Sequence, residues 1–127
     1  MNFINLMIFK TKAVCVFCKI ANKEISSEIL YENDQVLAFK DIHPLAPVHI
    51  LIIPKKHIEG INFLGDTEKD IVLAGKMIIA AKKLAEKAGI GEKGYKLLFR
   101  VGREGGQEVE HIHLHLLGGA RLSENLA

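Results

Sequence analysis

A chain of 127 residues, 49% hydrophobic and 25% charged, fits one soluble domain able to bury a working core. Its 17 basic and 15 acidic residues leave a net charge of +2, spread along the chain without the arginine-rich or aromatic-basic stretches that nucleic-acid binding uses. No apolar run has membrane-spanning length, and Cys15 and Cys18 are too few for a disulfide framework, so a cytoplasmic protein engaging neither nucleic acid nor membrane is expected.

Met1 to Phe9 is apolar but short, broken by Asn2 and Asn5, and lacks the basic start and small-residue cleavage site of a signal peptide. Residues 1–14 are expected to be an N-terminal extension, disordered at least through Leu6 if Met7 is the natural start, with the domain over 15–119 and a tail over 120–127. Cys15 to Asn22 reads as a short helix or turn. The end of Ile25 to Glu32 reads as a first strand, followed by turn residues over Glu32-Asn-Asp-Gln35 and a second strand over Val36 to Lys40. Asp41-Ile-His-Pro44 stops that strand, and Val48 to Ile53 forms a third between Pro47 and Pro54.

The longest helix is expected over Thr67 to Ala88, with Thr67 as N-cap, Asp70 three residues on, and Gly89 just past the end. Ile71, Ala74, Ile78, Ala81 and Ala85 mark an apolar stripe, and Met77 and Ile79 are expected in the core. Lys82, Lys83 and Lys87 suit the C-terminal end of the helix dipole. Tyr95 to Val101 and Val109 to Leu117 read as a fourth and a fifth strand. Strands at both ends with one long helix between them predict an α+β domain with an antiparallel sheet.

The last strand carries the chemistry. His111, His113 and His115 alternate with Ile112, Leu114 and Leu116, which puts three imidazoles on one face and three core residues on the other. An imidazole titrates near neutrality, so it can be nucleophile, acid, base or metal ligand. Two readings stand open at this point: a metal held from one strand face, or metal-free catalysis in which one ring attacks while the others orient it and move protons. Gly102-Arg-Glu-Gly-Gly-Gln107 precedes the strand, and a glycine-rich loop lets backbone amides approach an anion, with Gln107 offering a side-chain donor. Cys15-Val-Phe-Cys18 is either a turn flanked by two small apolar residues or half of a metal site.

Together these segments resemble the histidine triad (HIT) family, Hint branch. The resemblance rests on His111-Ile-His-Leu-His-Leu-Leu-Gly-Gly119, Cys15-Val-Phe-Cys-Lys-Ile20, Leu37-Ala-Phe-Lys-Asp-Ile42, Pro47-Val-His-Ile-Leu-Ile-Ile-Pro-Lys-Lys-His-Ile58 and Gly106-Gln107, and covers about Cys15 to Gly119. It implies a HIT-like fold, with a five-stranded antiparallel sheet, one long helix and a short helix. It further implies a homodimer with a continuous ten-stranded sheet, and hydrolysis of purine nucleoside 5′-phosphoramidates to AMP and an amine.

By the same resemblance His113 is the nucleophile and forms a nucleotidyl-histidine. His111 orients it through its backbone carbonyl, His115 contacts the phosphate or the scissile atom, and His49 completes the cluster. Asp41 and Ile42 match the nucleotide pocket, Asp41 taking the ribose hydroxyls. Gly106 and Gln107 match the phosphate loop, and Leu37 and Phe39 either wall the base pocket or belong to the core. Catalysis then requires no cofactor, while Cys15, Cys18, His57 and His111 stand where some bacterial relatives hold a structural zinc.

Arg100 and Glu108 depart from the Asn and Ser of many members, and the tail lacks the aromatic and proline-rich ending that some use. These departures keep a nucleotide-binding adaptor with vestigial hydrolysis in view. A dinucleoside polyphosphate hydrolase of the same superfamily and a metallohydrolase with zinc on the triad also remain open.

Overall fold

The computed structural model describes residues 14–123. The expected extension through Leu6, the start at Met7 and the end of the tail lie outside them. The elements are α1 (Val16–Ala21), β1 (Ile29–Glu32), β2 (Val36–Lys40), β3 (Val48–Pro54), a 3-10 turn (Ile61–Phe63), α2 (Glu68–Lys87), β4 (Tyr95–Phe99) and β5 (Leu114–Gly118). All strand pairs are antiparallel, in the order β1-β2-β3-β5-β4. This is the predicted α+β domain with one long and one short helix.

Local chemistry sets the element ends. Asn33 closes the β1–β2 hairpin, its side-chain oxygen accepting the amides of Gln35 and Val36, each at 2.8 Å. Thr67 Oγ1 accepts the Asp70 amide at 3.2 Å and starts α2. Past its end, Gly89 takes φ +79° while its amide and that of Ile90 reach back to Glu86 and Ala85, a Schellman closure.

The sheet separates two cores. On one face Val36, Ala38, Ile50, Ile52, Leu114 and Leu116 pack against Leu73, Met77, Ala80, Ala81 and Leu84 of α2. On the other, Leu37, Phe39, Leu51 and Ile53 lie under Cys15, Phe17, Cys18 and Ile20 of the α1 region. Each buried Leu or Ile contributes about 1.5–3 kcal/mol by leaving water. Among the described residues no helix is long and apolar enough to cross a membrane.

Two expectations need correction. Ile71, Ile78 and Ile79 are exposed, by 60%, 45% and 50%. The helix carries two apolar arcs, and the one that docks is centred on Met77 and Ala81, where small and flexible side chains let α2 approach the sheet. The fifth strand also begins later than expected, at Leu114 rather than Val109, so only His115 of the three alternating histidines lies within it. His111 and His113 belong to the extended approach to the strand, fixed where the Ile112 amide donates to the Ile58 carbonyl at 2.8 Å. Alternation survives nonetheless: Ile112, Leu114 and Leu116 enter the helix-side core while the rings face α1.

Candidate active site and cysteine–histidine centre

His113 and His115 lie with ring centroids 5.0 Å apart and planes tilted by 56°, and His49 lies 5.2 Å from His115. The β3–β5 register pairs Leu51 with His115 and His49 with Leu117, so His49 reaches the cluster from one step along β3. All four histidines of this face are buried.

Hydrogen bonds assign the protons. A carbonyl only accepts, so the 2.7 Å contact from His113 Nδ1 to the His111 oxygen puts the proton on Nδ1 and leaves Nε2 with its lone pair. The Leu45 amide donates to His49 Nδ1 at 3.1 Å, which places that ring's proton on Nε2. His49 Nε2–H then donates to His115 Nδ1 at 2.9 Å. His115 must carry its own proton on Nε2, a buried atom with no partner among the described residues. The cluster thus presents one lone pair, at His113, and one unspent donor, at His115.

Burial keeps the rings neutral. It pushes His115 down to about 3 and His111 to about 4, and it lowers His113 and His49 as well. Below pH 6.5 or so the unfolded chain therefore binds protons that the folded chain refuses. Each strongly lowered ring is expected to remove about 1.4 kcal/mol of stability per pH unit as the pH falls from about 6.5 toward 4. Urea midpoints at pH 7.5, 6.5 and 5.5 check this, and a flat profile would contradict it.

Aromatic packing orients the nucleophilic ring. Phe17 meets His113 edge-on at 5.0 Å, His111 at 5.9 Å and Phe39 at 5.5 Å. Phe17 was not among the expected site residues, because inside Cys15-Val-Phe-Cys18 it reads as turn filler. Leu37 is 0% exposed and belongs to the core under α1 rather than to any open wall. Phe39 is buried beside Phe17, whereas Ile42 projects from its loop with 81% exposure. Asp41 Oδ1 accepts the His43 amide at 2.8 Å, and Oδ2 lies 3.4 Å from His49 Nε2.

The glycine loop differs from expectation in one respect. Gln107 turns its amide inward, donating from Nε2 to the carbonyls of Glu59 at 2.6 Å and Val109 at 2.9 Å, while its Oε1 accepts the Gly102 amide. The backbone amides of Gly106 and Gln107 also close turns, onto Arg103 and Gly102. Gln107 braces the loop instead of offering a free side-chain donor. A Cβ at Gly105 would run into the main chain of Val101, which explains a glycine there.

A second cluster lies behind the first. Cys15 Sγ is 3.3 Å from His111 Nδ1, and Cys18 Sγ is 3.3 Å from His57 Nδ1 and 3.5 Å from His111 Nδ1. The Pro54 carbonyl accepts the His111 Nε2 proton at 2.7 Å, which turns the Nδ1 lone pair to the sulfurs. Tetrahedral zinc spaces its sulfur and nitrogen ligands about 3.6 Å apart, and these four donors already sit within 4.8 Å of one another. The donor set fits zinc. Asp41, His49 and His115 converge similarly, but the hydrogen-bond chain through His49 accounts for their closeness.

The chain is similar to known proteins over most of its length. The HIT domain model matches residues 22–122. The chain is 49% identical over 112 residues to a purine nucleoside phosphoramidase of Escherichia coli (strain K12), covering 88% of this chain and 92% of that protein. It is 40% identical over 104 residues to the protein HitA of Neisseria gonorrhoeae, covering 82% and 94%. A HIT family hydrolase from Legionella pneumophila superposes with a TM-score of 0.85 at 51% identity, covering 89% of this chain and 99% of that one. A histidine triad protein from Clostridium difficile does so with 0.81 at 44% identity, covering 87% and 94%.

Proposed function

The chain belongs to the HIT domain family, and we propose that within it the protein is a hydrolase of purine nucleoside 5′-phosphoramidates. The observation that carries this reading is the proton assignment: a nucleophilic lone pair on His113 beside a proton donor on His115. Breaking a P–N bond requires both, since an amine leaves only when protonated.

In this reading His113 Nε2 attacks phosphorus. The P–N bond breaks, and the His115 Nε2 proton passes to the departing amine as the His49 proton shifts across the 2.9 Å bond to His115 Nδ1, so that the pair shares the charge until water returns a proton. The attacking ring becomes cationic, and the His111 carbonyl that holds its Nδ1–H stabilises that charge. Water then attacks the nucleotidyl-His113, giving its proton to His115 and releasing AMP. Asp41 accepts from the ribose hydroxyls, its two oxygens offering more lone pairs than the His43 amide occupies. Gly106 and Gln107 shape the loop against which the phosphate lies. Catalysis itself calls for no cofactor.

Cys15, Cys18, His57 and His111 would hold zinc as a closed structural site, where the ion supplies cross-linking of α1 to the approach to β5. The exposed arc of α2 at Ile71, Val72, Ile78 and Ile79, together with β4 at the sheet edge, supports a homodimer with a ten-stranded sheet. Two cysteines outside any disulfide suit the cytoplasm.

The test is turnover of an adenosine 5′-phosphoramidate by the purified protein, with and without chelator. AMP and amine should appear in both, and protein quenched under alkaline denaturing conditions, where a P–N bond survives, should gain the mass of one adenylyl group at His113. Binding of AMP without turnover would favour the adaptor reading. Turnover abolished at once by chelation would favour a metallohydrolase.

A further inference from the structure

We propose that Arg100 is a phosphate-binding residue of this site, gripping the non-bridging oxygens of the 5′-phosphoryl group so that affinity rests on the anion as much as on the nucleoside. The inference deepens the hydrolase reading above and rests on it.

Register places the residue. β4 pairs Leu98 with His115 and Phe99 with Leu114, so the next step along the chain sets Arg100 opposite His113 and on the same sheet face. Its stem passes over the glycine loop, with Cδ 3.9 Å from where a Cβ on Gly106 would stand. Gly106 itself turns at φ +76°, a backbone conformation that favours glycine. The guanidinium has no hydrogen bond or ion pair among the described residues, although Arg100 is half-buried. Five donors in a planar fork without a protein acceptor are suited to an anion.

The surrounding charges give the fork its task. Besides the neighbouring rings, the charged groups acting on His113 are Arg100, Asp41 and Glu108, one cation against two carboxylates. Arg100 also acts on His115 and His49, and no lysine or second arginine does so among the described residues. An anionic phosphoryl group entering beside Asp41 and Glu108 would otherwise meet repulsion. The loop cannot supply the missing donors from Gly106 and Gln107, since their backbone amides close its own turns. Arg100 is the cation that acts on His49, His113 and His115 alike, and so is placed to meet the negative charge bidentately and at fixed charge.

Calorimetric titration of the wild type, Arg100→Gln and Arg100→Lys with AMP and with adenosine tests this. Adenosine lacks the phosphate and reports whether the pocket is intact. Arg100→Gln should weaken AMP by about 10- to 100-fold, the range of a hydrogen bond to a charged group, and change adenosine by less than about twofold. Arg100→Lys should recover part of the loss, as a point charge without the fork. A wild type preferring AMP over adenosine by an unchanged ratio in Arg100→Gln overturns the inference alone. A wild type that does not prefer AMP at all also overturns the inference, whereas the hydrolase reading stands or falls on turnover of the phosphoramidate by the same protein.

Discussion

Replacing His113 by alanine is expected to lower turnover of an adenosine 5′-phosphoramidate by at least about four orders of magnitude, the scale on which nucleophile loss acts when a catalytic group works as part of a unit. The ring supplies the only lone pair that the hydrogen-bond pattern of this cluster leaves free for attack. No neighbour can substitute, because His115 Nδ1 accepts from His49 and His111 Nδ1 faces the thiols. Affinity for AMP should change by less than about threefold, since the lost interaction belongs to the transition state rather than the bound nucleotide. Steady-state turnover, AMP titration and a circular dichroism spectrum measure the three quantities together. Near wild-type turnover in the alanine variant would remove His113 from the mechanism.

The second large effect concerns stability. Stripping metal from protein grown with zinc, or replacing Cys15 by serine, should lower the unfolding midpoint by at least about 10 °C, because a bound metal stabilises only the folded state. Elemental analysis should find about one zinc per chain before treatment and none after it, as expected for a closed four-ligand site. The donors come from α1, from the segment after β3 and from the approach to β5, so the ion would tie α1 to two segments already joined to each other by the Ile112–Ile58 hydrogen bond. Zinc-free protein with an unchanged midpoint would reduce the cluster to thiol–imidazole hydrogen bonds.

Much of this was legible in the residues. Alternation at His111 to Leu116 identified a chemical face and a structural face even though the strand proper begins at Leu114. That works because parity is a property of extended backbone, with or without ladder partners on both sides. The caps at Thr67 and Gly89 were readable because capping is local chemistry. What stayed hidden depended on three-dimensional choice. Periodicity showed apolar arcs on α2 but not which would dock, so Ile71, Ile78 and Ile79 were misplaced. The Leu45 amide that fixes the His49 tautomer carries no side-chain signal at all. Gln107 has two donors and one acceptor, and only the loop geometry shows that all three are engaged internally.

The same alternation makes length a harsher constraint than identity in the stretch from His111 to Gly118. A single substitution there perturbs one ring or one core contact and leaves the rest in place. Adding or deleting one residue between the Ile112 anchor and His115 would exchange the two sets, driving imidazoles under α2 and leucines toward the thiols. This segment can therefore drift in composition over generations but not in count, and surviving insertions among related chains should fall in the turns outside it.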